Sequence, residues 1–211
     1  MSAFTNRRSA ITLFSSPVDV DSHRVRLVLA EKSIGHEVEY VDPASPPEDF
    51  LELNPYQTLP TLVDRDLVLY DGGVVIDYLD ERFPHPPLMP VDPVSRARTR
   101  IALFRVLKDW YGLIGDLECG DPRRAGRAAR RLGEGIVAAD ELFAHQPFFL
   151  SEELTVVDCT LVPLMWRLPH WGVTLPGAAP GFEAYRQRML GRPAVTASLS
   201  EQEREMARHQ V

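Results

Sequence analysis

Residues 10–83 alternate between short apolar runs and longer stretches in which apolar residues recur every three or four positions. Short apolar runs bounded by turn residues are typical of strands, and the longer period is typical of amphipathic helices. The pattern predicts the order β-α-β-α-β-β-α. The predicted strands span residues 10–14, 37–41, 59–63 and 67–70, and the predicted helices span residues 18–32, 48–53 and 71–83.

The first predicted helix has one apolar and one polar face. Val28 and Leu29 lie on the apolar side, whereas Arg24, Arg26 and Lys32 lie on the other. A helix divided in this way buries its apolar face and exposes its charges, so we expect the three cations to face solvent.

Short polar side chains mark the helix starts in this half of the chain. Such side chains accept hydrogen bonds from the first free N–H groups of a helix. We therefore expect Ser22 or Asp21 to cap the first helix and Asp71 to cap the third, where Gly72-Gly73 allows a sharp turn.

Residues 94–211 carry helical periodicity without strand-like runs. The expected helices span residues 94–117, 123–143, 155–166, 181–190 and 193–199, followed by a polar tail at 201–211 that we expect to fray. Thr155 and Asp158 fit a reciprocal capping box, because the side chain of each is placed to accept a hydrogen bond from a backbone N–H near the other.

Five prolines fall within residues 84–93, which we name the proline strap. Proline fixes its own φ and lacks an N–H, so neither a helix nor a sheet continues through such a segment. Each proline also favours extended geometry in the residue before it. The strap therefore predicts a boundary between a domain at 1–83 and an all-helical domain at 94–211.

Charge and composition narrow the possible functions. The formal net charge is −7, whereas a sequence-independent nucleic-acid binder needs a basic face. Cys119 and Cys159 are far apart and the histidines are scattered, so we expect no disulfide, no metal and no cofactor. No apolar run is long enough to cross a membrane, and the run after Arg7-Arg8 is too short for an export signal. We therefore expect a cytoplasmic protein.

Three stretches resemble the glutathione transferase superfamily: residues 13–17, residues 24–32, and the segment from Asn54-Pro55 to Leu62. The resemblance implies an α/β thioredoxin-like domain at 1–83 followed by an all-α bundle. It also implies that Pro60 follows a cis peptide bond, and it places the Thr155–Asp158 box in the core helix of the second domain.

Residues 78–91, 108–111, 164–169 and 201–206 resemble one branch of that superfamily, the stringent starvation protein A family. The resemblance implies a transcription regulator of the stationary-phase, starvation or acid-stress response. Such a protein binds the RNA polymerase holoenzyme and its housekeeping sigma factor. A homodimer packed across the third helix and the first long helix after the strap is also implied. We expect neither direct sequence-specific nucleic-acid binding nor a membrane partner.

Glutathione chemistry is the alternative function. In the resembling enzymes, the position of Asp19 holds the thiol of the cysteine-using classes, and the Asp71-Gly72 pair corresponds to an acid–serine pair that holds the glutamyl carboxylate. A carboxylate repels a thiolate, and Gly72 lacks the hydroxyl, so we expect no transferase activity. Ser15 and Ser16 remain possible catalytic hydroxyls, which keeps a glutathione-dependent transferase or reductase as the second hypothesis.

The proline strap has two interpretations. On composition alone, a rigid linker is the commoner use of such a segment. The family resemblance favours a partner-binding surface instead, with His85 donating a hydrogen bond and Leu88 or Met89 filling an apolar recess on the polymerase. The predicted contact residues are Pro84, His85, Pro86, Pro87, Leu88, Met89 and Pro90.

Arginines at helical spacing define a second candidate surface. Arg123, Arg127 and Arg130 share one face of the predicted helix at 123–143. A solvated face is the favoured interpretation. The alternative is a contact with an acidic protein surface or a phosphorylated molecule.

Overall fold

The computed structural model describes residues 11–42 and 44–208, without the side chains of Ala207 and Arg208. The chain divides into two compact units. The first unit includes residues up to Pro86 together with residues 197–204, and the second includes residues 87–196 and the end of the last helix. The pattern of the sequence does not predict the return of residues 197–204 to the first unit.

A four-stranded mixed sheet in the order β2-β1-β3-β4 forms the centre of the first unit. The central strand β1 pairs in parallel with β2 and antiparallel with β3, and β3 and β4 form a hairpin. The predicted order of elements is confirmed, and the predicted strand residue Ala10 lies outside the described residues. The elements are β1 Ile11–Ser15, α1 Val20–Glu31, β2 His36–Tyr40, α2 Glu48–Leu53, β3 Thr61–Asp64, β4 Leu67–Tyr70 and α3 Gly72–Arg82.

Aromatic packing joins the sheet to α2. The rings of Phe14 and Phe50 are 5.5 Å apart and both are buried, together with Val41. The Leu59–Pro60 peptide bond directly before β3 is cis, as predicted. Every residue of β1 is buried, so this strand lies in the core of the first unit.

The expectation that the cations of α1 face solvent is wrong. Arg24, Arg26 and Lys32 are all buried. A buried cation is tolerated when a carboxylate and further acceptors replace its water. The pairs are Arg24–Asp21, Arg26–Glu203 and Lys32–Asp80. Two of the three carboxylates are distant in sequence, so periodicity within α1 alone does not reveal them.

The second unit is helical, as predicted. The predicted helix at 94–117 is present, but its helical geometry changes along its length. It consists of α4 Pro93–Arg105, a wider π-helical turn Val106–Trp110, a tighter 3₁₀ turn Tyr111–Leu113, and α5 Ile114–Leu117. The helices that follow are α6 Pro122–Ala138, α7 Asp140–Ala144, α8 Val156–Arg167, α9 Pro180–Leu190 and α10 Pro193–Ser198.

The predicted capping box at the start of α8 is present. The Asp158 carboxylate accepts hydrogen bonds from the backbone N–H groups of Thr155 and Phe149, each at 2.8 Å, and from the hydroxyl of Tyr185 at 2.7 Å. Burial raises the pKa of Asp158, and these hydrogen bonds oppose that rise. One carboxylate therefore fixes the start of α8, the preceding loop and α9 together.

The polar tail does not fray over its described length. Residues Glu201–Arg208 form a helix, α11. Its first turn is held by a second capping box, in which Ser200 Oγ accepts from the N–H of Glu203 and Glu203 accepts from the N–H of Ser200. The Ser-x-x-Glu spacing is a recognised helix start and was available in the sequence as a signal.

Candidate functional site

The strap is exposed in two parts, residues 84–87 and residues 91–93. Pro84, His85, Pro86 and Pro87 are exposed, whereas Met89 and Pro90 are half-buried. The side chain of Leu88 is only 1% exposed, so it belongs to the core of the protein. This corrects the expectation that Leu88 anchors a partner, because a side chain that fills its own core has no surface left for another protein.

Lys32 fixes the backbone at the start of the strap by hydrogen bonds. Its ammonium Nζ lies 2.7 Å from each of three oxygens: the carbonyls of Phe83 and Pro86 and a carboxylate oxygen of Asp80. An ammonium has three N–H donors, so all three are used. Because proline-rich backbone cannot hold itself by internal hydrogen bonds, this buried lysine supplies the fixed geometry.

The second part of the strap is fixed within the other unit. The carbonyl of Leu88 accepts a hydrogen bond from the N–H of Val156, the first residue of α8, at 3.0 Å. The guanidinium of Arg96 donates to the carbonyl of Pro90 at 2.8 Å. Asp92 then caps α4 by accepting from the N–H of Ser95. Residues 84–87 are therefore one exposed part of the strap, and the residues that follow them are fixed by these hydrogen bonds.

The start of α1, where a glutathione thiolate would be stabilised, is already filled. Asp19, and not Ser22 or Asp21, is the cap of α1 and accepts from the N–H groups of both those residues. Helix N-terminal N–H groups stabilise an anion when they are free to face it. Here they face the protein's own carboxylate.

The two alternative hydroxyls are buried and engaged. Ser15 is fully buried; its hydroxyl donates to the carbonyl of Ser16 at 3.0 Å and accepts from Arg26. The hydroxyl of Ser16, only 5% exposed, accepts from the N–H groups of Val18 and Asp19. Both serines thus serve the turn between β1 and α1.

The start of α3 is equally unsuited to a glutamyl carboxylate. A Cβ added at Gly72 would lie 3.0 Å from the guanidinium of Arg24, which pairs with Asp21. Asp71 caps α3 as predicted and occupies the N–H groups of Gly73 and Val74. Burial raises the pKa of Asp21; Arg24 lowers it, and the neighbouring charges of Asp19 and Asp71 raise it further. Three carboxylates therefore crowd the place where an anionic ligand would sit.

The arginine face of α6 is exposed, with Arg123, Arg127 and Arg130 on the solvent side of the helix. Arg124 differs from them because it pairs with Asp116. The apolar side of α6 is buried and includes Leu132 and Ile136.

No helix in 11–42 and 44–208 is long and apolar enough to cross a membrane. Among the same residues, no three His, Cys, Asp or Glu side chains are grouped so that they could hold a metal ion.

Sequence reasoning found the strap but missed the residues that position it. Lys32 was assigned to a solvent-facing side, and no local signal separates it from an exposed lysine. The same holds for Arg26 and Glu203, whose pairing joins α1 to α11. Only the Ser200–Glu203 spacing indicated that α11 has an ordered start.

Comparison with known proteins places the chain among transferase-like folds. The family model for the glutathione S-transferase N-terminal domain matches residues 22–82, and that for the C-terminal domain matches residues 124–193. The solved structure of glutathione transferase Omega 3C from Trametes versicolor has a TM-score of 0.79 at 21% identity and covers 94% of each chain. The theta-class enzyme from Xanthomonas axonopodis pv. citri, solved with glutathione bound, also gives 0.79, at 23% identity over 90% of this chain and 97% of that one. These likenesses establish the fold.

Curated relatives are far more similar in sequence. The stringent starvation protein A homolog of Pasteurella multocida is 46% identical over 200 residues, which is 94% of both chains. The homolog of Coxiella burnetii is also 46% identical, over 95% of this chain and 96% of its own. By contrast, glutathione S-transferase omega-2 of Rattus norvegicus is 28% identical over 83% of this chain and 73% of its own.

Proposed function

Since the chain belongs to the stringent starvation protein A family, we propose that it regulates transcription in starvation, stationary phase or acid stress by binding the RNA polymerase holoenzyme and its housekeeping sigma factor. Its place of action is the cytoplasm, where the polymerase is found. The names of the curated relatives support a role in starvation. Polymerase binding is the finer part of the proposal.

The observation that carries the proposal is the exposed segment Pro84–Pro87. Its backbone is fixed by the hydrogen bonds that Lys32 donates to the carbonyls of Phe83 and Pro86. A surface that is already ordered loses little conformational entropy on binding, so more of its contact energy appears as affinity. His85 offers an exposed imidazole at the centre of this segment, flanked by apolar proline rings. Such a mixed polar and apolar patch suits recognition of a folded protein.

The transferase-like fold does not make the protein a transferase, because function depends on the site and not on the scaffold. Asp19 fills the helix terminus that a thiolate needs. A Cβ at position 72 would lie 3.0 Å from Arg24 and 3.4 Å from Asp21, which leaves little room for the serine that the resembling transferases carry there. We therefore propose an interaction protein that needs neither a cofactor nor a metal ion.

We also propose that the active form is a homodimer. The helices α3 and α4 each expose apolar side chains: Val74 is 50% exposed on α3, and Ile101 and Phe104 are 59% and 57% exposed on α4. Large apolar side chains on adjacent turns of a surface helix favour an interface with another chain. The arginine face of α6 is kept as a second candidate surface for an anionic partner.

The triple variant Pro84→Ala/His85→Ala/Pro86→Ala tests the proposal. We expect its affinity for the purified holoenzyme, measured by calorimetry, to fall by about 2 kcal/mol, or roughly thirtyfold, if the segment contains an anchor. Circular dichroism should confirm that the fold is kept, since these residues are exposed.

The matched control changes three exposed residues elsewhere: Arg123→Ala/Arg127→Ala/Arg130→Ala. If the strap variant binds the holoenzyme with wild-type affinity and the arginine variant binds more weakly, the strap is a linker and the binding site lies on α6. Wild-type affinity in both would remove both surfaces.

A further inference from the structure

A shallow recess of about 320 Å³ lies beside His85 in the first unit. It is formed where the loop after α1, the β3–β4 turn and the end of α3 meet the start of the strap. Its lining includes Ser33, Gly35, Asp64, Arg65, Arg82 and His85. His85 belongs both to this lining and to the exposed segment Pro84–Pro87.

Two arginines give the recess a positive charge. Arg65, in the β3–β4 turn, is exposed, and its side chain has no ion-pair partner among residues 11–42 and 44–208. Arg82, in the last turn of α3, is 46% exposed in its side chain. A guanidinium carries five N–H donors in a planar fork, so both residues offer donors to an incoming acceptor.

The carboxylate of Asp64 does not neutralise both arginines. Its Oδ2 accepts a hydrogen bond from the hydroxyl of Tyr78 at 2.6 Å. The same oxygen is 3.7 Å from Nε of Arg82, which is too long for a hydrogen bond. Arg82 instead lies over the ring of Phe83, 5.5 Å from its centre.

Lys32 also lines the recess but contributes no free donor, because its three N–H groups are used by Asp80 and by the carbonyls of Phe83 and Pro86. The exposed acids Asp66 and Glu81 are near in sequence but are not part of the lining. The recess is thus a small positively charged region on a chain whose formal net charge is −7.

We propose that this recess receives an acidic side chain of the polymerase holoenzyme, with Arg65 and Arg82 as the carboxylate-binding pair and His85 at its edge. The inference rests on the proposed function and specifies the chemistry of the partner at the same surface. Arginine pairs bind carboxylates through parallel N–H···O hydrogen bonds, which give direction as well as attraction. Two guanidinium groups on a chain of this net charge are too few for a sequence-independent nucleic-acid site.

The double variant Arg65→Gln/Arg82→Gln tests the inference, because glutamine keeps polar side chains of similar length and removes both charges. We expect the association rate with holoenzyme to fall about tenfold at low salt, since rim charges act mainly on association. The difference from wild type should close in about 1 M salt, where exposed charges are screened. Arg65→Gln alone, at a side chain that forms no ion pair with the described residues, should show part of the effect even if Arg82→Gln disturbs the fold.

The control Arg123→Gln/Arg127→Gln removes the same number of charges from α6. Equal loss in both double variants would overturn the inference, since the recess would then contribute no more to binding than another pair of exposed arginines. If the recess variant associates with the holoenzyme at the wild-type rate while the strap triple variant binds more weakly, the inference is overturned and the proposed function stands. If both bind like wild type, both proposals fail. Binding of the wild-type protein alone to duplex DNA, lost in the recess variant, would assign the arginines to phosphate and also overturn it.

Discussion

The guanidinium of Arg26, in α1, lies 2.6 Å from the carboxylate of Glu203, in α11, and both side chains are buried. Two N–H groups of Arg26 also donate to the carbonyls of Ser198 and Ser16, each at 2.8 Å. His23 lies 3.6 Å from the other oxygen of Glu203. The end of the chain is therefore tied to the first helix by a buried polar network.

Glu203→Ala should lower the free energy of unfolding by about 3–5 kcal/mol, because it leaves Arg26 buried without its carboxylate and removes the capping box of α11. Urea denaturation followed by circular dichroism measures the change. Glu201→Ala, on the exposed side of the same helix, is the control and should unfold like wild type. A loss below about 1 kcal/mol would mean that water replaces the missing carboxylate.

Lys32→Met should weaken holoenzyme binding although Lys32 itself is buried. Without the ammonium, the carbonyls of Phe83 and Pro86 lose their donor and Asp80 loses its cation, so the strap loses its fixed position. We expect a fall in stability of about 2–4 kcal/mol together with weaker binding. The only other lysine of the chain, Lys108, is exposed, and Lys108→Met serves as the control for stability. Unchanged binding by a folded Lys32→Met protein would show that the strap does not need this support.

Glutathione should neither bind nor react at a useful rate. We expect no retention on glutathione resin and no conjugation of a generic aryl halide above the uncatalysed rate, because Asp19, Asp21 and Asp71 repel an anion at both helix starts. Gly72→Ser should not restore binding, since the three carboxylates remain. Robust turnover by the wild-type protein would contradict this, and its loss in Ser15→Ala or Ser16→Ala would identify the catalytic hydroxyl.

Phe104→Glu/Ile101→Glu should convert the proposed homodimer into a monomer, because burying two carboxylates against an apolar surface is unfavourable. Multi-angle light scattering at micromolar concentration gives the mass directly. Arg123→Glu, an exposed change on α6, should keep the dimer mass. A monomeric wild-type protein would remove the homodimer from the proposal.

Asp92 should make the stability of α4 depend on pH. The hydrogen bonds from Ser95 lower the pKa of Asp92 below its ordinary value of 3.8. A carboxyl group whose pKa is lowered by folding stabilises the protein above its ordinary pKa and loses this effect as pH falls through the folded value. Asp92→Ala should therefore melt below wild type at neutral pH, and the two melting temperatures should converge below about pH 4. Asp92→Asn, which can still cap but does not titrate, should show no such convergence with Asp92→Ala.

Local pattern determined most of the fold. The order of strands and helices in the first unit follows from hydrophobic period, because each period matches one backbone geometry. The start of α8 follows from Thr155 and Asp158, since a capping box is completed within three residues. The cis bond before Pro60 followed from the family resemblance. The strap was visible because proline acts on its own backbone and on the residue before it.

Tertiary structure alone decided which polar groups are buried. Periodicity assigns a charged side chain to solvent, because ionisable groups are buried only when partners replace their water. The partner of Arg26 is Glu203 in α11, and the acceptors of Lys32 are Asp80 in α3 and the carbonyls of Phe83 and Pro86. Leu88 likewise is buried within the strap, whose first four and last three residues are exposed. These contacts join residues that are distant in sequence, so their free energy depends on neighbours that no local pattern contains.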